Sequence, residues 1–423
     1  MSSLGDFIFI VIDKNTFNMA TNPLIAKLIT EIDKSNGMDL FSSGSKKRLL
    51  QESFSPTGIS NLDFNLKTFG MPRGIIEVQG MSQSGKTTFS YMCMRNHQRK
   101  WKDQAVCFVL SSERRDNMPY AKKIGVDVEN VIVIKSVFLE DLMYKLEIKL
   151  DEVEEIFSKA KIEPKVMIVL DSVSATLSRS ESMAFDENVK AMKKSLDKGT
   201  KMELKHSQPG AFAKQSKMHL KSLLARMYDN DIKLIAINHT LEDFDTGKED
   251  SGGGTTWKYL PTIRLMLKNV ENIKYSTEKD SDIVAQKVKI TVMKNDFGPK
   301  LITFAEILHG VGFVLSQDDI DFAIEEEILE QEGAKKISFM NGKMSWVSKR
   351  TFHNLYHDKN KFMDLLHRKI EQARYKKLEQ MLDSAIENED NIVDDEDDAE
   401  VTNAVKKAVS LTNKPKIQLI PKK

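Results

Sequence analysis

Short apolar runs and longer amphipathic stretches alternate through the middle of the chain. Residues 75–78, 105–110, 131–134, 166–170 and 233–237 are runs of strand length rich in Val, Ile and Leu. Between and after them, residues 87–98, 139–160 and 218–228 read as helices. Strands with no polar face, separated by helices, predict a mostly parallel sheet covered on both sides. Residues 263–267, 288–292 and 301–304 predict strands that finish this sheet. Ahead of the core, residues 7–12 form one strand-like run. Residues 23–33 set Leu24, Ile25, Leu28, Ile29 and Ile32 on one helical face, and a polar linker follows at 34–48. Behind the core, helices are predicted at 318–330 and 362–382, with a hairpin at 337–346 turning at Asn341-Gly342. The fold class is therefore α/β, divided into an N-terminal segment and linker at 1–54, a core at 55–315, a C-terminal α+β region at 316–382 and a tail at 383–423.

Charge changes this picture only locally. The 423 residues hold 63 basic and 62 acidic side chains, so no global field argues for nucleic acid or membrane. The tail is acidic from Asp383 to Glu400 and basic at Lys406, Lys407, Lys414, Lys416, Lys422 and Lys423, a block pattern typical of disorder. Two cysteines, Cys93 and Cys107, are too few for a disulfide framework and fit a reducing compartment. No apolar run approaches the roughly 18 residues that argue a membrane span, and the expectation is a soluble cytoplasmic protein.

The chemistry centres on Gly80-Met81-Ser82-Gln83-Ser84-Gly85-Lys86-Thr87-Thr88, directly after the first core strand. This is a phosphate-binding loop, in which glycines let successive N–H groups and a helix N-terminus face one anion. Gly80, Ser82, Ser84, Gly85, Lys86, Thr87 and Thr88 are its candidate ATP contacts. Lys86 would reach the outer phosphates and Thr87 would hold Mg²⁺. Asp171, at the end of strand 166–170, supplies the second metal-side carboxylate. Glu113, after strand 105–110, is placed to orient or deprotonate water; a solvated loop glutamate is the competing reading.

Ser111-Ser112-Glu113 and the stretch 119–127 with Asn130 resemble the segment after the second core strand of RecA-family recombinases. There a catalytic Glu is followed by a Tyr that stacks on adenine, and Glu113 and Tyr120 keep that spacing. Asp171-Ser172 resembles the family's second nucleotide motif, and 235–240 its nucleotide sensor, with His239 matching the His of phage UvsX-type proteins. Gly252-Gly253-Gly254, Lys258 and Tyr259 resemble the close of the second DNA-binding loop, where the aromatic contacts the neighbouring subunit. The resemblance, over about 58–312, implies a RecA-like ATPase core and a filament of subunits on single-stranded DNA. ATP and Mg²⁺ would lie at subunit interfaces, with Glu113, Lys86 and His239 catalytic. Pairing with double-stranded DNA, a single-strand-binding protein and a recombination mediator are the implied partners.

Three departures matter. Lys294 keeps the first of two lysines that reach a neighbour's nucleotide in bacterial RecA, but Asp296 replaces the second. The second loop carries Glu242, Asp243, Asp245, Glu249 and Asp250 against Lys248, poor composition for a phosphate-facing surface. The first loop, 178–217, is long, and spaces Lys190, Lys193, Lys194, Lys198, Lys201, Lys205, Lys214 and Lys217 along it, as a backbone-tracking groove needs. The competing reading of these lysines is a solvated basic helix face. Two rival functions share the core motifs: a RecA-core helicase, and an ATP-binding filament accessory that barely hydrolyses.

Overall fold

The computed structural model describes residues 53–113, 117–198, 210–242, 249–252, 254–274, 283–333, 335–358 and 361–392. The expected strand at 7–12, helix at 23–33 and linker, and all of the tail beyond Ile392, lie outside them. After a short helix α1 (Ser60–Asn65), the core runs β1 (Gly74–Gly80), α2 (Lys86–Trp101), β2 (Ala105–Ser111), α3 (Met118–Ile124), β3 (Val131–Lys135), α4 (Leu139–Ala160) and β4 (Lys165–Asp171). It continues through α5 (Arg179–Lys198), α6 (Ala211–Asp229), β5 (Ile232–Glu242), β6 (Glu249–Ser251), α7 (Thr255–Tyr259), β7 (Ile263–Lys274), β8 (Ile283–Asn295), β9 (Ile302–Leu308) and β10 (Gly312–Val314).

These strands make one 10-stranded sheet, ordered β10-β9-β8-β7-β1-β5-β4-β2-β3, with β6 paired to β5. From β7 to β3 every neighbouring pair is parallel; β8, β9 and β10 extend the sheet antiparallel. The apolar runs explain the burial: β1 and β4 are buried along their whole length. One face packs on Phe89, Met92 and Cys93 of α2, the other on Leu142 and Leu146 of α4, Leu220 and Leu223 of α6, and Trp257 of α7. The expected α/β sheet with flanking helices is thus the observed one.

Beyond it lies a C-terminal α+β lobe of α8 (Gln317–Glu325), a three-stranded sheet of β11 (Glu330–Glu332), β12 (Lys336–Phe339) and β13 (Met344–Trp346), α9 (Lys349–His357) and α10 (Lys361–Ile392). The hairpin turns where expected, with Met340, Asn341 and Gly342 all at positive φ.

Three expectations need correction. The helix expected at 318–330 stops at Glu325. Glu327 turns to φ 56°, and the N–H groups of Ile328 and Leu329 both donate to Ala323 O at 2.8 and 2.9 Å, so Leu329 is buried and 330–332 is freed to pair with β12. The helix expected to end at 382 continues to Ile392, past the point where the tail was expected to begin. The segment 178–217, expected as a long loop, is mostly α5 and the first turns of α6. A reciprocal cap starts α5: Glu181 N donates to Ser178 Oγ at 3.3 Å, and Ser178 N to Glu181 Oε2 at 2.9 Å.

Candidate nucleotide site and its DNA-facing loops

Parallel pairing brings the C-terminal ends of β1, β5, β4 and β2 to one edge, where open α/β sheets bind ligands. Register aligns them: Gly80 lies opposite His239, Ile237 opposite Asp171, and Asp171 opposite Ser111. The phosphate loop, Asp171, Glu113 and His239 therefore leave four neighbouring strands side by side. Space requires the first of the loop's glycines, where backbone lies in the way, and positive φ favours the second. A Cβ on Gly80 would sit 2.3 Å from Leu267 O, and one on Gly85 would sit 2.3 Å from Ile307 Cδ1. Gly85, at φ 95°, starts α2, so its N-terminus faces the loop.

Lys86 is buried, and its ammonium donates to Gly80 O at 2.9 Å and Met81 O at 2.7 Å. Burial lowers its pKa to about 8, against the pull of Asp171 and Glu113. Asp171 is raised to about 6 by burial and then by the charge of Glu113; hydrogen bonds from Asn117 and Thr87 and the charge of Lys86 oppose this. Burial also lowers the His239 pKa, with the Lys86 charge adding to it. A cation beside Asp171 would offset the Glu113 charge that adds to its rise. Ser84 Oγ is buried without a hydrogen-bond partner inside the loop. A magnesium nucleotide fits this set: Thr87 and Asp171 suffice as protein ligands, because Mg²⁺ keeps waters and phosphate oxygens for its other positions. Among the described residues no cluster of three or more His, Cys, Asp or Glu forms a metal cage.

Tyr120 is half-buried on α3, its hydroxyl 2.6 Å from Thr88 Oγ1. Three side chains in this constellation were not singled out from sequence. Ser172 Oγ donates to Glu113 Oε1 at 3.3 Å, Ser112 Oγ donates to Ser172 O at 2.9 Å, and Asn117 Nδ2 donates to Asp171 Oδ2 at 3.2 Å. The signal was present in the polar residues that end β2 and β4, Ser111-Ser112 and Asp171-Ser172.

Among the residues expected to meet DNA, Lys190 and Lys193 of α5 and Lys214 and Lys217 of α6 are exposed. Lys194 and Lys198 lie on α5, but their side chains are outside the described set, as are Lys201, Lys205 and Gly253 altogether. Met183 and Phe185 on α5 are also exposed. Gly252 follows β6, Gly254 precedes α7 at φ 80°, and Lys258 is half-buried on α7. Tyr259 is 75% exposed. Lys294 does not extend outward: its ammonium donates to Tyr259 O at 3.0 Å and Pro261 O at 2.7 Å, and lies 3.4 Å from Asp296 Oδ1. No helix among the described residues is long and apolar enough to cross a membrane.

The family model of the RecA N-terminal domain matches residues 24–314. Protein RecA of Clavibacter michiganensis subsp. michiganensis is 28% identical over 305 residues, 70% of this chain and 74% of its own length. Protein RecA of Sinorhizobium fredii is 26% identical over 313 residues, 72% and 77% of the two chains. Protein RecA of Mesorhizobium japonicum is 26% identical over 336 residues, 75% and 82% of the two chains. The match spans the sheet, the phosphate loop, Glu113, Asp171 and His239 alike, and the chain belongs to the RecA family.

Proposed function

We propose that this protein is an ATP-dependent DNA strand-exchange recombinase of the phage UvsX type. It coats single-stranded DNA as a homo-oligomeric filament, pairs that strand with a homologous duplex and lets go after hydrolysis. The observation that carries this reading is the convergence of Lys86, Asp171, Glu113 and His239 on one sheet edge, from which both DNA-facing segments depart. Lys86 would exchange its loop carbonyls for the terminal phosphates, and Glu113, set by Ser172, would take a proton from the attacking water. Thr87 and Asp171 would hold Mg²⁺, which when bound neutralises phosphate charge. His239 would sense the terminal phosphate and Tyr120 would flank the base. The lysines of α5 and α6 would track the DNA backbone, with Gly252 to Lys258 hinging the second loop and Tyr259 meeting the next subunit. Residues 1–54 would add a subunit contact to the 55–315 core.

The deciding experiment is joint-molecule formation between a circular single strand and a homologous linear duplex, with and without ATP. Joint molecules that need ATP are expected; unwinding of a forked duplex without pairing would favour a helicase. The bonding of Lys294 to its own backbone and Asp296 favours a second reading, a filament accessory with little hydrolysis. ATP turnover that rises with single-stranded DNA excludes it.

A further inference from the structure

A row of polar side chains crosses four adjacent strands just behind the phosphate loop. Glu77, in the middle of β1, is completely buried; Arg264 of β7 lies opposite it, and Lys294 of β8 lies opposite Arg264. On the other side, Asn238 of β5 lies opposite Gln79. Arg264 Nε pairs with Glu77 Oε2 at 2.5 Å, and its Nη2 donates to Gln79 Oε1 at 3.4 Å. Asn238 Nδ2 donates to Glu77 Oε1 at 2.9 Å and to Gly252 O at 2.8 Å.

The two ends of this row hold the two ends of one segment. Asn238 grips Gly252, where the second loop returns, while Lys294 grips the carbonyls of Tyr259 and Pro261, where α7 ends. A buried carboxylate is tolerated only when paired and hydrogen-bonded. Arg264 supplies the charge, which leaves Oε1 for the Asn238 amide. That amide spends its donors on Glu77 and Gly252, while its own Oδ1 is buried without a hydrogen-bond partner. Leaving an acceptor unmade is unfavourable, so the site is arranged around what the amide donates to.

We propose that Asn238 and Glu77 are positioning residues. They fix where the returning limb of the second loop leaves the sheet, one residue before the sensor His239 and one strand from the phosphate loop, so that the loop's grip on DNA answers to the nucleotide. This rests on the recombinase reading and adds a route within it.

The test uses the full chain. Asn238→Leu is expected to bind a fluorescent ATP analogue within about twofold of the unmodified protein and to keep its basal turnover. Its stimulation by poly(dT) falls about tenfold or more, the scale of removing a buried hydrogen bond to a charged group. Asn238→Ser, too short to reach both acceptors, carries the same expectation as leucine if the leucine variant does not fold. Full stimulation in Asn238→Leu, or an equal loss of nucleotide affinity and stimulation, overturns the proposal. If the unmodified protein is not stimulated by DNA, it is the recombinase reading that fails. Hydrogen exchange across 254–261 without DNA then decides the positioning role, since faster exchange in Asn238→Leu supports it and unchanged exchange overturns it.

Discussion

In the proposed function Lys86 and Glu113 would divide the work at the phosphate loop, and their replacement should separate binding from turnover. Lys86→Ala is expected to abolish both ATP hydrolysis and strand exchange, checked by phosphate release and joint-molecule assays. Glu113→Gln is expected to bind nucleotide but hydrolyse it about 10²–10⁴-fold more slowly, the range expected when a general base is removed, with DNA complexes that outlast those of the unmodified protein. The places of the loop and of Asp171 were legible because the loop is a contiguous glycine-rich pattern at the end of one apolar run and Asp171 closes another. The side chains that orient them were not. Asn117 meets Asp171, and Ser172 meets Glu113, across more than 50 residues of chain, and only strand register brings them together. The hydrogen bonds of Lys294 to Tyr259 O and Pro261 O were not legible, because they follow from where α7 ends.

Among the elements, α10 is joined to the core through the Tyr375 hydroxyl. The Tyr375 hydroxyl has three acceptors at hand: Asp63 Oδ2 at 3.2 Å, Phe69 O at 3.1 Å and Glu371 Oε1 at 3.2 Å. It owns one proton, so a neighbouring carboxyl must bring another. Burial pushes Asp63 from 3.8 up to about 8, opposed by hydrogen bonds from Thr57 and assisted by the charge of Glu371. Burial also raises Glu371, opposed by Tyr375 and Lys100. For an acid whose folded pKa is raised, stabilisation is complete below the unfolded value and is lost as pH climbs through the folded one. Docking of α10 should therefore weaken between pH 4 and 8, from the Asp63 values. Hydrogen exchange in 361–381, corrected for its intrinsic rate, should quicken by up to about tenfold per pH unit from roughly 6 to 8. Asp63→Asn should flatten that response; an unchanged response would locate the proton elsewhere.

Element types were mostly readable, because fully apolar runs separated by helical ones admit few other folds. The misreadings have local causes. Residues 179–198 offer no glycine or proline and open with a Ser178–Glu181 cap, which is a helix signal that the resemblance to a loop overrode. Strand β11 reads Glu330-Gln331-Glu332, fully exposed and with no apolar residue to announce it; pairing with β12 alone defines it.

At the scale of the molecule, near-neutral charge means that the DNA binding proposed above would have to come from local patches. Replacing Lys190 and Lys193 with alanine should lower the slope of log affinity against log salt by about 0.7 for each single-strand phosphate that they neutralise, with little dependence on base sequence. A titration series at several salt concentrations checks this, and an unchanged slope would remove α5 from the interface. The C-terminal lobe, meanwhile, is fastened at several points, among them the ion pair of Lys349 on α9 with the buried Glu306 of β9. Chain continuity ties it at Leu315, and the first half of α10 fills the lobe's own interior with Met363, Leu366 and Ile370. Farther along the same unbroken helix, Arg374 meets Asp319 and Asn61, and Tyr375 meets Asp63 and the Phe69 carbonyl. An appendage on one tether could swing freely. With the α10 anchorages sharing a stiff rod, any tilt of the lobe must pull on α1 as a lever would and, through the Asn61 bond to Thr303, on β9 toward the antiparallel edge of the core sheet.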